Sequence, residues 1–534
     1  MPMVGWYNPI QLIRTGIDVA MSTLFGRRAD FRLLEAIAAQ QGVFDRSDRE
    51  SITIDYVADL GDGFNSTYAI ASLISKEELD LPGVERPLRR GEILIMGGDQ
   101  VYPTPGKEGY HERLVAPYAA TPRTGASVDL FAIPGNHDWY DGLTSFSRLF
   151  CQQRSIGHCA THQTRSYFAI RLPHHWWLIA VDIQLESDID MPQVDYFKTV
   201  AKKMGKGDKI ILCTPEPDWI YGNIYSAKYK NNLAFLETHV FKEAKVWLRL
   251  AGDLHHYRRH ESTSGVQNIT AGGGGAFLHP THGEDVNEIT AGPDGETFRC
   301  AGTFPDPAIS RRLAYRNLIF ARYNPRFGSI PAFLYTLLLW GIFPASSGSF
   351  AEILWNIVAR PGTLTAALGV AAAFVLLTDT HKLLYRVLGG GLHGLIHVAA
   401  ALLLGYCAGL LFPGAAPGSW GFTLFVFFGG YLVGSAVMGL YLLISLNCFG
   451  RHANEAFSSL RHDGFKNFLR IRINKDGLTI YPVGLERVPR TWRRDDDGTF
   501  SPAGNIKLSP RLIEKSPIKI PRLADGQGDL GESG

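Results

Sequence analysis

The chain holds 534 residues, more than one hydrophobic core accommodates, so two or more folded units are expected. Lys plus Arg (53) nearly balances Asp plus Glu (51), which removes any global electrostatic argument for a nucleic-acid partner. Six cysteines (Cys151, Cys159, Cys213, Cys300, Cys407, Cys448) follow neither zinc-ligand nor disulfide-framework spacing, and read as free thiols in a reducing compartment.

Within residues 1–45, Trp6, Ile10, Ile13, Ile17, Met21 and Leu24 recur at helical spacing, flanked by Arg14, Arg27 and Arg28. Such an amphipathic segment either lies on a membrane surface or packs on its own domain. Asn8, Arg14 and Asp18 interrupt the apolar run and no small-residue cleavage site follows, so no secretory signal is expected.

The second unit, residues 46–310, alternates short β-rich runs with helical or loop segments. Ile52 to Val57, Ile93 to Met96, Val128 to Ile133, Trp176 to Val181, Lys209 to Cys213 and Val246 to Ala251 read as buried strands of an α/β fold. Several lead directly into turns rich in metal-capable side chains: Asp59-Leu60-Gly61-Asp62, Gly98-Asp99-Gln100-Val101-Tyr102, Gly135-Asn136-His137-Asp138 and Gly252-Asp253-Leu254-His255-His256-Tyr257. A lone Asp after a strand is usually a turn or a helix cap, but ligands in open α/β sheets gather outside the carboxyl ends of strands. Four such turns in one unit therefore point to one crevice. Its donors are carboxylates (Asp59, Asp99, Asp253), an amide (Asn136) and imidazoles (His137, His255, with His256 a further candidate). Mixed O and N donors suit a pair of divalent transition metals better than calcium or a thiolate zinc site.

Residues 328–448 form a different unit, with four apolar stretches at Ser329 to Ala345, Thr363 to Leu377, Leu392 to Phe412 and Phe422 to Leu446. The last two are long enough to cross hydrocarbon, and the first two lie near the lower limit; together they predict an all-α, four-helix transmembrane domain in contact with membrane lipids. Basic residues flank it in a consistent pattern: Arg311, Arg312, Arg316, Arg322 and Arg326 before it, Lys382 and Arg386 in its middle loop, and Arg451, Arg461 and Lys466 after it. The positive-inside rule then sets both soluble regions on the cytoplasmic face of the inner membrane, with Glu352 and Arg360 a small exception. His393 and His397 lie one turn apart in the third span, and Gly430 and Gly434 form a small-xxx-small pair in the fourth. Residues 451–510 are expected to form a basic cytoplasmic β-containing region with a hairpin at Asn474-Lys475-Asp476-Gly477, either facing anionic headgroups or docking on the N-terminal unit. Residues 511–534, rich in Pro, Gly and charge, read as a disordered tail.

The order of the strand-end motifs over about residues 50 to 285 resembles the calcineurin-like metallophosphoesterase superfamily, with GGD ahead of GNHD as the specific signal. Asp59-Leu60-Gly61, Gly98-Asp99-Gln100-Val101-Tyr102 and Gly252-Asp253-Leu254-His255-His256-Tyr257 are most similar to its purple acid phosphatase branch. The resemblance implies a two-sheet sandwich flanked by helices, two divalent ions (Mn, Fe, Zn or Mg) and hydrolysis of a phosphomonoester or phosphodiester by a metal-bound hydroxide. Carried over by position, Asp59 and His255 would hold one metal, Asp99 would bridge, and Asn136 would hold the other. His137, paired with Asp138, would stabilise charge on phosphorus or protonate the leaving oxygen, and Tyr102 is a candidate ligand that can equally be a packing residue.

Two departures stand out. Asp253 replaces the first His of the family's GHxH, and the strand ending at Cys213 runs into Thr214-Pro215-Glu216-Pro217 with no His. Glu216 and Asp62 are candidate replacement ligands, which would favour Mn or Mg. The glycine run Gly272 to Gly275, with His279 and His282 beyond it, either brings backbone N–H groups to a phosphate or forms a turn with surface histidines. Membrane tethering favours a lipid-linked phosphoester without excluding a soluble nucleotide. The alternative class is a non-catalytic ligand-binding or scaffold protein built on a degenerate phosphoesterase fold; a transporter is disfavoured because the spans carry no acidic residue.

Overall fold

All four residues of the strand Ile93–Met96 are buried, because it is covered on both faces. Ile93 and Ile95 belong to the core between two sheets, whereas Leu94 and Met96 pack with Ala69 and Leu73 of the helix Phe64–Ser75. Period-two alternation between two apolar environments is what a central strand of a layered α/β fold requires. The computed structural model describes residues 1–25, 41–122, 125–183, 189–225, 233–342, 351, 355, 359, 361–378 and 382–521.

Two nine-stranded mixed sheets face each other. One carries Trp176–Ala180, Asp208–Cys213, Ala244–Ala251 and Gln267–Ala271 in parallel. The other carries Ile52–Val57, Ile93–Met96 and Val128–Ala132 in parallel. Tyr56, Ile95 and Phe131 of one sheet meet Phe168, Leu178 and Leu248 of the other in the shared core. The outer face of the first sheet is covered by the helix Met191–Ala201, through Val194, Phe197 and Val200. Asp190 caps that helix by accepting from the Gln193 N–H at 3.0 Å. The two-sheet α/β arrangement with flanking helices therefore matches the sequence expectation.

Residues 451–510 do not form a separate region. Lys466–Asn474 pairs antiparallel with Ile52–Val57, setting Ile471 opposite Ile54, and Gly477–Leu485 completes the expected hairpin. Leu469, Ile471 and Ile473 fill the intersheet core, and Arg470 forks onto Asp55 at 2.7 and 2.9 Å with both side chains 1% exposed. Strand Ile52–Val57 would otherwise present an open edge of unpaired backbone, so the soluble fold expected to close near residue 310 is completed from beyond the apolar unit. Residues 511–521 are likewise ordered rather than a tail: Arg511–Leu512 and Ile518–Pro521 pair with Gly477–Leu485. The remainder of the expected tail, 522–534, lies outside the described residues, as do Arg27, Arg28, Glu352 and Arg360.

In the apolar unit, Leu383–Leu411 (29 residues) and Trp420–Phe449 (30 residues) are long and apolar enough to cross a membrane. Ser329–Ile342 and Pro361–Leu377, at 14 and 17 residues, are shorter apolar helices packed beside them. Gly430 and Gly434 do face a neighbouring helix: a Cβ on Gly434 would fall 2.3 Å from the Pro331 Cβ. Arg386, expected in a loop, lies on the Leu383–Leu411 helix and donates to the carbonyls of Val375 and Leu376 at 3.0 Å each, closing the end of the preceding helix.

Candidate metal centre

Three strand ends in the two sheets bring Asp59, Asp99 and Asp253 together, and all three residues adopt positive φ (59°, 51° and 66°). A left-handed non-glycine residue is costly, so three at one crevice indicate that side-chain placement is being held against local preference. The turns are stitched to one another. Asp59 N–H donates to the Gly98 carbonyl, Leu60 N–H to that of Asp99, and Asp253 N–H to Asp59 Oδ2 at 2.9 Å.

The ligand atoms of Asp59, Asp99 and His255 lie within 4.8 Å of one another, fully buried. Between them sits the Tyr102 hydroxyl, 2.9 Å from Asp59 Oδ1, 3.0 Å from Asp99 Oδ2 and 2.9 Å from His255 Nε2. His255 Nδ1 lies 2.8 Å from the Phe277 carbonyl, which accepts only from an N–H, so Nε2 is left as a lone pair. Three acceptors thus converge on a phenol with one proton to give, an arrangement short of positive charge. The Asn136 side-chain oxygen is buried on the cavity wall with no hydrogen-bond donor among the described residues. Glycine makes the carboxylates fit: a Cβ on Gly135 would fall 2.1 Å from Asp99 Oδ1, and one on Gly272 2.4 Å from Asp59 Oδ2. These donors fit a divalent cation.

The electrostatics agree. Burial raises the Asp59 carboxyl to about 8, and burial together with neighbouring Asp59 and Asp138 carries Asp99 well above the carboxylate range. Burial lowers His255 well below its usual value and His137 to about 4, so both imidazoles are neutral at pH 7.

The other expected site residues divide. Asp253, Asn136, His137 and His279 line the same cavity as Asp99 and Tyr102. His279 stacks on His255 with ring centroids 3.8 Å apart. His137 is not paired with Asp138: its Nδ1 meets the Pro103 carbonyl at 2.6 Å. Asp138 instead accepts from the Gly135 N–H at 2.8 Å, from the Gln100 N–H at 3.2 Å and from the Tyr110 hydroxyl, fastening the turn that carries Asn136 and His137. Asp62 spends both oxygens on backbone, accepting from Val4 N–H (2.7 Å) and Phe277 N–H (3.2 Å). Glu216 and His256 are not among the residues lining the cavity. His282 bonds Ser310 Oγ and Asn447 Oδ1, each at 2.8 Å, joining the soluble fold to the last long helix instead of facing a substrate. In the glycine run, Gly272 and Gly274 N–H groups donate to the carbonyls of His256 and Ala58, and a Cβ on Gly273 would fall 2.0 Å from Asn467 Nδ2. That run serves close backbone packing.

Sequence reading missed several participants. Tyr221 donates to Asp253, Trp6 packs edge-on against Tyr102 and His137, and Lys466, buried near Asp59 and Asp62, donates to the Ala276 carbonyl. Trp6 and Lys466 are remote in the chain from the motifs, and no local pattern ties them to the turns they support.

No protein-family model and no curated protein matches the chain. Among solved structures, it is similar to GAP50, the anchor in the inner membrane complex of Plasmodium, at 14% identity and a TM-score of 0.33, over 49% of this chain and 94% of that one. It is also similar to PhoD at 12% identity and a TM-score of 0.26, over 43% of this chain and 58% of PhoD.

Proposed function

We propose that the chain is a membrane-anchored, calcineurin-like metallophosphoesterase that hydrolyses a phosphomonoester or phosphodiester. The observation that carries this is the buried convergence of Asp59, Asp99 and the His255 lone pair around the Tyr102 hydroxyl. Asp59, Asp99, His255 and Tyr102 would hold one divalent ion (Mn, Fe, Zn or Mg), and Asp99, Asn136 and Asp253 would hold a second. Bound there, such ions would supply Lewis acidity, making a water more acidic and polarising a phosphoryl oxygen.

The protein's own groups complete the chemistry. With Nδ1 committed to the Pro103 carbonyl, neutral His137 presents Nε2 as an acceptor, so it takes a proton first and donates to a leaving oxygen only afterwards. Asp138 acts on that step at one remove, by fixing the backbone of the Asn136–His137 turn. Trp6 and Phe277 flank the polar groups and restrict water.

The soluble sheet is built from chain on both sides of the apolar unit, so an even number of crossings is required if that unit spans a membrane. The basic flanks favour the cytoplasmic face of the inner membrane for the soluble fold. Four spans remain our reading, the shorter two helices crossing with their flanks included.

A second reading, a ligand-binding or scaffold protein without turnover, is favoured by one observation: strand Asp208–Cys213 ends without a nitrogen ligand and Glu216 stays out of the cavity lining. Elemental analysis of the purified protein, followed by a metal-reconstituted assay on bis(4-nitrophenyl) phosphate and 4-nitrophenyl phosphate, tests both. The hydrolase reading expects bound metal, and turnover that falls at least a hundredfold in Asn136→Ala and His137→Ala. Background turnover in all three proteins, with metal bound, leaves the second reading.

A further inference from the structure

The cavity that contains the candidate metal centre has a volume of about 1100 Å³, above the roughly 300–1,000 Å³ usual for a small-molecule site. Its lining changes character along its length. At the soluble end it is Asp99, Asn136, His137, Asp253 and His255; at the other it is Leu334, Leu338, Val370, Ala373, Val398 and Leu442, from all four apolar helices. The polar side chains among the helices face one another: His397 Nδ1 meets the Tyr335 hydroxyl at 2.7 Å and His397 Nε2 meets His393 Nε2 at 3.1 Å. His393 also stacks on Tyr441 with centroids 3.8 Å apart, so these residues offer the cavity ring surface. At the junction, Trp6, Tyr7, Leu12 and Thr15 contribute from the N-terminal segment, whose helix Pro9–Phe25 leaves Ile10, Ile13 and Ile17 more than half exposed. That is the pattern of a helix lying in a membrane interface.

A soluble phosphoester would fill only the polar end and leave the apolar end to water, which is unfavourable. Resting on the phosphoesterase reading above, we propose that the substrate is a lipid phosphoester whose phosphate lies at Asp99, Asn136, His137 and His255 while its apolar chain lies between the helices. The shared chemistry is a phosphate ester on a long hydrocarbon chain, either straight acyl or alkyl, or isoprenoid. The cavity crosses from the soluble fold into the apolar unit, so a lipid can enter from the bilayer with its head already directed at the metal-binding groups.

Two measurements on the full-length protein in detergent test this. In the first, 4-nitrophenyl phosphodiesters carrying ethyl, octyl, hexadecyl or farnesyl groups are compared with metal present. The ratio of kcat/KM between long-chain and ethyl esters is expected to rise by up to about fourfold for each methylene that enters the cavity. Gly369 lines the apolar end, and a Cβ there meets nothing within 4 Å, so Gly369→Phe should obstruct the chain and cut that ratio at least tenfold. Leu403→Phe, on the outward face and 55% exposed, should leave the ratio as in the wild type. The farnesyl and hexadecyl arms separate the two lipid sources.

In the second, hexadecylphosphonate with a terminal diazirine, which has no ester bond to hydrolyse, is photolysed with the Mn(II)-loaded protein. Peptides carrying Leu338, Val370 or Val398 should be labelled, and excess hexadecylphosphonate but not inorganic phosphate should compete. Turnover of every ester at one rate, with label only on outward residues such as Leu403 or Leu432, overturns the lipid proposal and leaves the hydrolase reading standing. Competed label on the cavity wall without turnover of any ester supports lipid-phosphate binding and removes hydrolysis. Neither turnover nor wall label defeats both.

Discussion

Replacing Asp99 by Asn separates a metal centre from a cluster of acids that merely tolerate one another. The change is nearly isosteric, and an amide oxygen can still accept from the His137 N–H now 2.9 Å from Asp99 Oδ1. What it removes is charge. Asp99 and Asp59 present ligand atoms within 4.8 Å of each other, and two full charges at that distance repel by about 3.5 kcal/mol at an effective dielectric of about 20. Proton uptake already relieves part of this, so Asp99→Asn should stabilise the metal-free protein by about 2 kcal/mol at pH 8, roughly 2–3 °C in Tm for a fold of this size. The metal-loaded protein should respond in the opposite sense. An ion at a hundred times its Kd stabilises the wild type by about 2.7 kcal/mol, and a hundredfold loss of affinity in the variant leaves only about 0.4 kcal/mol. Thermal melts of the full-length protein in detergent, at one scan rate, with EDTA and with Mn(II), read both effects. A variant that melts below the wild type in EDTA and still gains as much from Mn(II) would refute the assignment.

Three further outcomes are expected. Burial raises Asp59 to about 8 and Asp138 to about 7, while His137 is lowered to about 4, so the groups oppose one another below about pH 6.5 and the carboxyls alone titrate above it. The folded metal-free chain then holds protons the unfolded chain has lost, and between about pH 6.5 and 8 its stability should fall by about 1.6 kcal/mol through Asp59 and about 0.8 kcal/mol through Asp138; a Tm that rises across this window contradicts the burial argument. Arg470→Met strands Asp55 at 1% exposure and should cost about 3–5 kcal/mol in denaturant unfolding, much of it regained in the double variant with Asp55→Leu; no recovery would mean that the pair does not couple the two chain segments. Gly434→Leu drives side-chain atoms into Pro331 and should lower the detergent melting temperature and expose the cavity, whereas Leu432→Ala on the outward face should leave both unchanged.

Much of the site was readable as text, because each motif is local. A strand that ends in Gly-Gly-Asp or Gly-Asn-His-Asp announces a turn carrying donors, and strand order in an α/β fold sends such turns to one edge. Local pattern failed where a partner is remote or a donor has competing uses. Asp62 looks as eligible as Asp59, yet its two oxygens are consumed by the backbone N–H groups of Val4 and Phe277. His137 and Asp138 are neighbours in sequence but bond in different directions, since successive residues of a tight turn point apart.

Composition and periodicity, then, were enough for an α/β unit with metal-capable strand ends and for an apolar helical unit, because hydrophobic alternation and run length are properties of consecutive residues. They could not reveal that Lys466–Asn474 returns across the whole apolar unit to pair with Ile52–Val57, since strand pairing at that separation leaves no mark in either segment. Nor could they join the metal-capable turns to the helices in one cavity: a shared void is made by surfaces meeting in space, and no stretch of chain contains it.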